Sequence, residues 1–134
     1  MLARANQILA TSPSPTKSNI SFLKANITSI PLPPNTADCI ISNCVINLVP
    51  AADKPAVFAE MYRVLKPGGR VAVSDILAKQ PLPEQLKRDM ALYVGCIAGA
   101  SQVAEYEGWL RGVGFDGESL PYGSYPTLTA GGWP

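Results

Sequence analysis

The sequence predicts an α/β fold, a parallel sheet with flanking helices, and three observations carry the prediction. Residues 37–43 form a short apolar run that reads as a strand. Val57, Phe58, Met61, Val64 and Leu65 then recur at three- and four-residue spacing, the pattern of one buried helix face. Arg70 to Leu77 comes next as a second strand of β-branched character. Strand, helix, strand at these lengths is a βαβ crossover, which pairs its two strands in parallel. With 134 residues and 47% hydrophobic composition, the chain can bury the core of one modest domain. That domain is placed over residues 1–120, with an irregular tail rich in Gly, Pro, Ser and Thr over 121–134.

In chain order, residues 1–10 read as the end of a helix, with Leu2, Ile8 and Leu9 apolar. Residues 11–18 are rich in turn formers and read as a loop. Ile20 to Lys24 alternates enough for a short strand, and the three prolines between Ile30 and Thr36 make a loop. The long helix starts over Pro50 to Lys54, and Lys66-Pro67-Gly68-Gly69 stops it. Glu84 to Val94 and Val103 to Val113 read as further helices, the second with Trp109 and Leu110 turned inward. Phe58, Met61 and Trp109 are assigned to the core. Gly112-Val113-Gly114-Phe115-Asp116-Gly117 matches G-x-G-x-x-G, but a helix precedes it where a dinucleotide fingerprint needs a strand. It reads as a helix C-cap and then a turn into a strand.

Composition narrows the function. The net charge is +1 and no basic stripe appears, so nothing marks a nucleic-acid surface. No apolar run approaches the ~20 residues that span a bilayer, so no membrane partner is expected. The first residues do not read as a signal peptide, and three cysteines without one suggest free thiols in a reducing, cytoplasmic compartment. The absence of histidine excludes Ser-His-Asp and Cys-His chemistry within the chain and any His-ligated metal.

Ser42-Asn43-Cys44 closes the first predicted strand. In an open α/β sheet, ligands bind beyond the carboxyl ends of the strands, so Cys44 is expected at the reaction face. Cys39 lies inside the same strand, which puts it ~16 Å from Cys44 along an extended backbone. It is expected to be core. Asn43 either faces a ligand or bonds its own turn. Asp75 is either a site residue or the N-cap of the next element, with the structural role preferred.

Several segments resemble the arsenite methyltransferases, a family of class I S-adenosylmethionine-dependent enzymes. Ile30-Pro31-Leu32-Pro33 and Ala37 to Asn43 look like the adenosine-side loop and fourth strand of the class. Arg63-Val64-Leu65-Lys66-Pro67-Gly68-Gly69-Arg70 looks like its helix-to-strand link. Ser42-Asn43-Cys44-Val45-Ile46-Asn47-Leu48 and Leu92-Tyr93-Val94-Gly95-Cys96-Ile97-Ala98-Gly99-Ala100 resemble the family's two arsenic-binding cysteine motifs. The resemblance spans about Asn19 to Gly117. It implies a partial Rossmann-like class I methyltransferase fold that transfers a methyl group from S-adenosylmethionine to thiolate-bound trivalent arsenic, a detoxification reaction. It assigns Cys44 and Cys96 as arsenic ligands, and Asn43, Ile27 and Thr28 as contacts to the cofactor. It also implies arsenite or its thiol conjugate as substrate and a glutathione- or thioredoxin-type reductant as partner.

The class places its first strand, Gly-rich cofactor loop and ribose-binding acid upstream of residue 1. The chain is therefore expected to be a carboxyl-side piece of the catalytic domain, holding the third, fourth and fifth strands. The class order 3-2-1-4-5 would leave sheet edges unpaired, with self-association through them. Two other functions stay open. One is a small-molecule C- or O-methyltransferase of quinone or sterol type. The other is an inactive arsenical-binding remnant.

Overall fold

The computed structural model describes residues 1–11, 19–88, 90 and 96–115, and the backbone of 127–129. Helix α1 (Leu2–Thr11) buries none of its side chains. Strand β1 (Ala37–Asn43) leads into two 3-10 turns, Ile46–Leu48 and Ala51–Asp53, and then into helix α2 (Lys54–Val64). Strand β2 (Leu65–Ser74) returns parallel to β1, with Ile40 opposite Val71 and Asn43 opposite Ser74. The expected βαβ unit is present. A short helix α3 (Glu84–Lys87), helix α4 (Val103–Val113) and strand β3 (Thr127–Thr129) follow among the described residues.

The core forms where α2 and α4 cover one face of the sheet. It joins Val57, Phe58 and Met61 of α2 to Val71 and Val73 of β2, Tyr106 of α4, and Ile46 from the turn after β1. Fully burying each of the large apolar side chains contributes about 1.5–3 kcal/mol, which is why the three-and-four spacing in α2 is decisive. The Phe58 and Tyr106 rings meet edge to face at 5.2 Å, and Trp109 packs partly buried beside both. Gly114, at φ 103°, ends α4 with its N–H directed at the Leu110 and Arg111 carbonyls. The G-x-G segment thus begins as the expected helix cap, while residues 116 onward in it lie outside the described residues.

Three expectations need correction. Ile20 to Lys24 forms no strand. Short alternation is not enough without a neighbouring ladder to take up its backbone groups. Helix α2 itself stops where expected: Val64 is its last residue, and Leu65 is already extended (φ −71°, ψ 140°) as the chain runs into Lys66-Pro67-Gly68-Gly69. Strand β2 accordingly starts at Leu65 and ends at Ser74, not at Leu77. Cys39 is exposed rather than core. Alternation along β1 turns Ile40 and Ser42 toward the helices, and leaves Cys39 and Ile41 on the opposite face, where Ile41 is 80% exposed.

Within the tail expected to be irregular, Thr127–Thr129 pairs antiparallel with β2, Leu128 lying opposite Val73. The loop expected at 11–18 lies outside the described residues beyond Thr11, as do residue 89 and residues 91–95 of the helix expected over 84–94.

Candidate functional site

Parallel pairing brings the carboxyl ends of β1 and β2 to one edge of the sheet. The chain leaves β1 at Asn43, and the Cys44 N–H donates to the Ser74 carbonyl at 2.8 Å. Cys44 has φ 52° and Cys96 has φ 61°, left-handed geometry that non-glycine residues seldom adopt. The Cys96 thiol donates to the Cys44 carbonyl at 3.1 Å. The two cysteines, far apart in sequence, therefore meet at the sheet edge. Cys44 is exposed and Cys96 is buried. Burial pushes the Cys96 thiol above its ordinary pKa, and the nearby Cys44 and Asp75 push the same way.

Beneath the thiols lies a polar cluster that the sequence did not announce. Asn47, 1% exposed, donates from Nδ2 to the Ile76 carbonyl at 2.7 Å and the Cys96 carbonyl at 3.0 Å. The Tyr106 hydroxyl donates to Asp75 Oδ2 at 3.2 Å, and lies 3.5 Å from Asn47 Oδ1. Burial raises the Asp75 carboxyl above its usual range, against the Tyr106 hydroxyl, the Ile46 N–H and the Lys54 ammonium. Its Oδ1 has no hydrogen-bond partner among the described residues. No helix comes directly after Asp75, so it is not an N-cap but a buried carboxylate beside the thiols.

Lys54, the first residue of α2, is 1% exposed. Its ammonium donates to the Ser101 hydroxyl at 2.8 Å and to the Gly99 carbonyl, pinning the turn that carries Cys96. Burial lowers its pKa, with Glu105 and Asp75 opposing. Lys54 also lines a cleft of about 320 Å³ with Gln80, Leu82, Ser101 and Glu105, and neither cysteine is among its lining residues. No group of three or more His, Cys, Asp or Glu side chains that could hold a metal ion occurs among the described residues.

Among the described residues, the remaining candidates make no hydrogen bond to either thiol, although Asn43 directly precedes Cys44 in the chain. Asn43 ends β1 exposed, its carboxamide making no hydrogen bond among the described residues. Ile27 and Thr28 occupy a tight turn. Asn26 Oδ1 accepts from the Thr28 N–H at 3.2 Å and from its hydroxyl at 3.0 Å, while Ile27 packs against the core. The proline-rich loop beyond is clasped to α2. Glu60 accepts from the Ile30 N–H at 2.6 Å, and Arg63 donates to the Ile30 and Leu32 carbonyls at 2.9 Å each.

A parallel βαβ sheet with its reactive groups beyond the strand ends is the Rossmann-like arrangement of class I methyltransferases. The chain belongs to the methyltransferase domain family, whose description fits residues 1–114. It is 41% identical over 98 residues to the arsenite methyltransferase of Halobacterium salinarum, covering 73% of this chain and 25% of that one. It is 37% identical over 75 residues to the ubiquinone/menaquinone biosynthesis C-methyltransferase of Escherichia coli, covering 56% of this chain and 28% of that one. Among solved structures, an arsenic(III) S-adenosylmethionine methyltransferase from Chlamydomonas reinhardtii superposes with a TM-score of 0.70 at 30% identity, over 85% of this chain and 40% of that one. The chain thus spans about a quarter of the length of the curated relatives it matches.

Proposed function

We propose that the chain takes part in transferring a methyl group from S-adenosylmethionine to trivalent arsenic held by the thiolates of Cys44 and Cys96. The observation that carries this reading is the Cys96 thiol seated on the Cys44 carbonyl at the carboxyl edge of the sheet. Similarity to enzymes named for the same reaction supports it. Trivalent arsenic is a soft thiophile, and thiolate is the soft ligand among side chains. Each thiol that joins arsenic displaces a hydroxide as water or a small thiol, which leaves with the proton. The arsenic lone pair stays free to form the bond to carbon as the carbon–sulfonium bond breaks, its electron pair leaving on sulfur as a neutral thioether. No proton leaves the attacking atom in that step, so it needs no histidine as a base.

Two places offer the cofactor chemistry it can use: Asn43 an uncommitted carboxamide at the strand end, and Ile27, in a separate turn beside Thr28, a half-buried apolar surface. S-adenosylmethionine, when bound, supplies an electrophilic methyl on a sulfonium sulfur. The task of the chain is to hold the arsenic in line with it. The lone pair spent on carbon leaves arsenic formally pentavalent, and a glutathione- or thioredoxin-type thiol reductant would return two electrons to it, itself oxidised to a disulfide, and keep both cysteines free between turnovers.

Isothermal titration with As(III) tests this reading. The double variant Cys44→Ser with Cys96→Ser is expected to lose at least about a hundredfold in affinity, because oxygen is a hard ligand and two positioned thiols act together. Equal binding by parent and double variant would sink it.

A second reading comes from the quinone-pathway relative. Under it the acceptor is an aromatic carbon, and the cysteines pack as small hydrophobes. Methylation of a quinol precursor that survives the double serine change, with arsenite inert, would establish that reading in place of the first.

A further inference from the structure

We propose that Asn47 is the positioning residue that sets the separation of the two thiol-bearing turns, an inference that rests on Cys44 and Cys96 being the ligand pair. The direct link between those turns is the Cys96 thiol on the Cys44 carbonyl, 3.1 Å long. A thiol is a weak donor, and the bond disappears as soon as the sulfur ionises. Whatever holds the thiolates at working distance must lie elsewhere.

Asn47 stands three residues after Cys44 and is completely enclosed. Both protons of its amide are spent on backbone carbonyls, Ile76 just beyond β2 and Cys96 itself. Two acceptors on one side fix which way the amide faces. The Tyr106 hydroxyl has one proton, and the nearer Asp75 Oδ2 receives it, so Asn47 Oδ1 is held only by a longer contact. A second, independent contact joins Asn47 to the same turn. A Cβ at Gly99 would fall 1.9 Å from the Asn47 carbonyl oxygen, so only glycine lets the two backbones lie this close. Asn47 thus grips the Cys96 turn at both ends, and Lys54 fastens it from behind at Gly99 and Ser101. Left-handed geometry at both cysteines persists only where the surroundings over-determine it, and these contacts supply that constraint.

The test uses the full chain carrying Cys39→Ser, so that Cys44 and Cys96 are the only thiols. Dibromobimane, which fluoresces once both of its ends have reacted, reads thiol separation without arsenic. Absorbance of the arsenic–thiolate bond reads As(III) affinity. Asn47→Ala is expected to lower both the bridged-to-single alkylation ratio and the affinity by about tenfold or more, while single alkylation of Cys44 and the far-ultraviolet dichroism stay as in the parent. Where Asn47→Ala fails to fold by dichroism, Asn47→Asp decides on the same readings, since it keeps the volume and withdraws both donated protons. Parental bridging and affinity in the folded variant would overturn the proposal. The double serine variant is run in parallel. Should it bind As(III) as the parent does, the ligand assignment fails, and the bimane ratio still reports on Asn47 by itself.

Discussion

Lys54 carries a buried ammonium whose partners are the Gly99 carbonyl, the Ser101 hydroxyl and, at longer range, Glu105 and Asp75. Replacing it by methionine keeps most of the volume and strands those two oxygens in a dry site. Lys54→Met is expected to cost about 1–3 kcal/mol in urea unfolding, the penalty of buried acceptors left without donors. No sequence signal pointed to this residue, because lysine is almost always solvated and only the fold reveals the exception. The resemblance paired Cys44 with Cys96, and the two turns do meet, but residue spacing alone gave no reason for it, since the contact depends on a turn far along the chain. Cys39 was misread because the strand pattern cannot say which face lacks a cover. The exposures make a ready check. In iodoacetamide labelling with mass-spectrometric readout, Cys39 and Cys44 are expected to react well before Cys96, which is buried and has a raised thiol pKa.

Helix α2 does more than fill the core. Its Glu60–Arg63 pair, 2.7 Å apart, reaches off the buried face and clasps the proline-rich loop through Ile30 and Leu32. The Arg63 hydrogen bonds, against the opposing effect of burial, hold the Glu60 carboxyl at about 2, below its ordinary 4.5. A carboxylate with a depressed folded pKa stabilises the fold above its unfolded pKa and loses that contribution as pH falls through the folded one. Glu60→Gln is therefore expected to cost about 1–2 kcal/mol at neutral pH, discounted for the solvent around Arg63. The gap between parent and variant should close between pH 4.5 and 2 in acid-unfolding curves.

At this scale the sequence was informative wherever a pattern was local. The apolar spacing of α2, the strand ending in Asn43 and the Gly114 cap each reflect neighbours in the chain. The false strand at Ile20 to Lys24 and the overlooked pairing of Thr127–Thr129 share one cause: a strand exists only with a partner, and partners lie at long sequence range.

Among the described residues, helices cover the sheet on one face. Ile41, 80% exposed, stands on the other beside Cys39, and β1 forms one edge of the order β1-β2-β3. Among the described residues, an unpaired β1 edge and the exposed Ile41 favour pairing with another chain. Sedimentation velocity is expected to show concentration-dependent association that Ile41→Lys reduces, and a monomer at all concentrations would contradict it. The left-handed backbone at Cys44 and Cys96 has a consequence for how such a chain changes over generations. An L-residue there gives up about 1–2 kcal/mol, and asparagine tolerates the conformation better. Cys44→Asn is expected to raise the urea midpoint while abolishing thiol binding. Selection for stability alone would erode these two cysteines first, so their persistence in a lineage would record continued use of the thiols, and drift to glycine or asparagine would date its end.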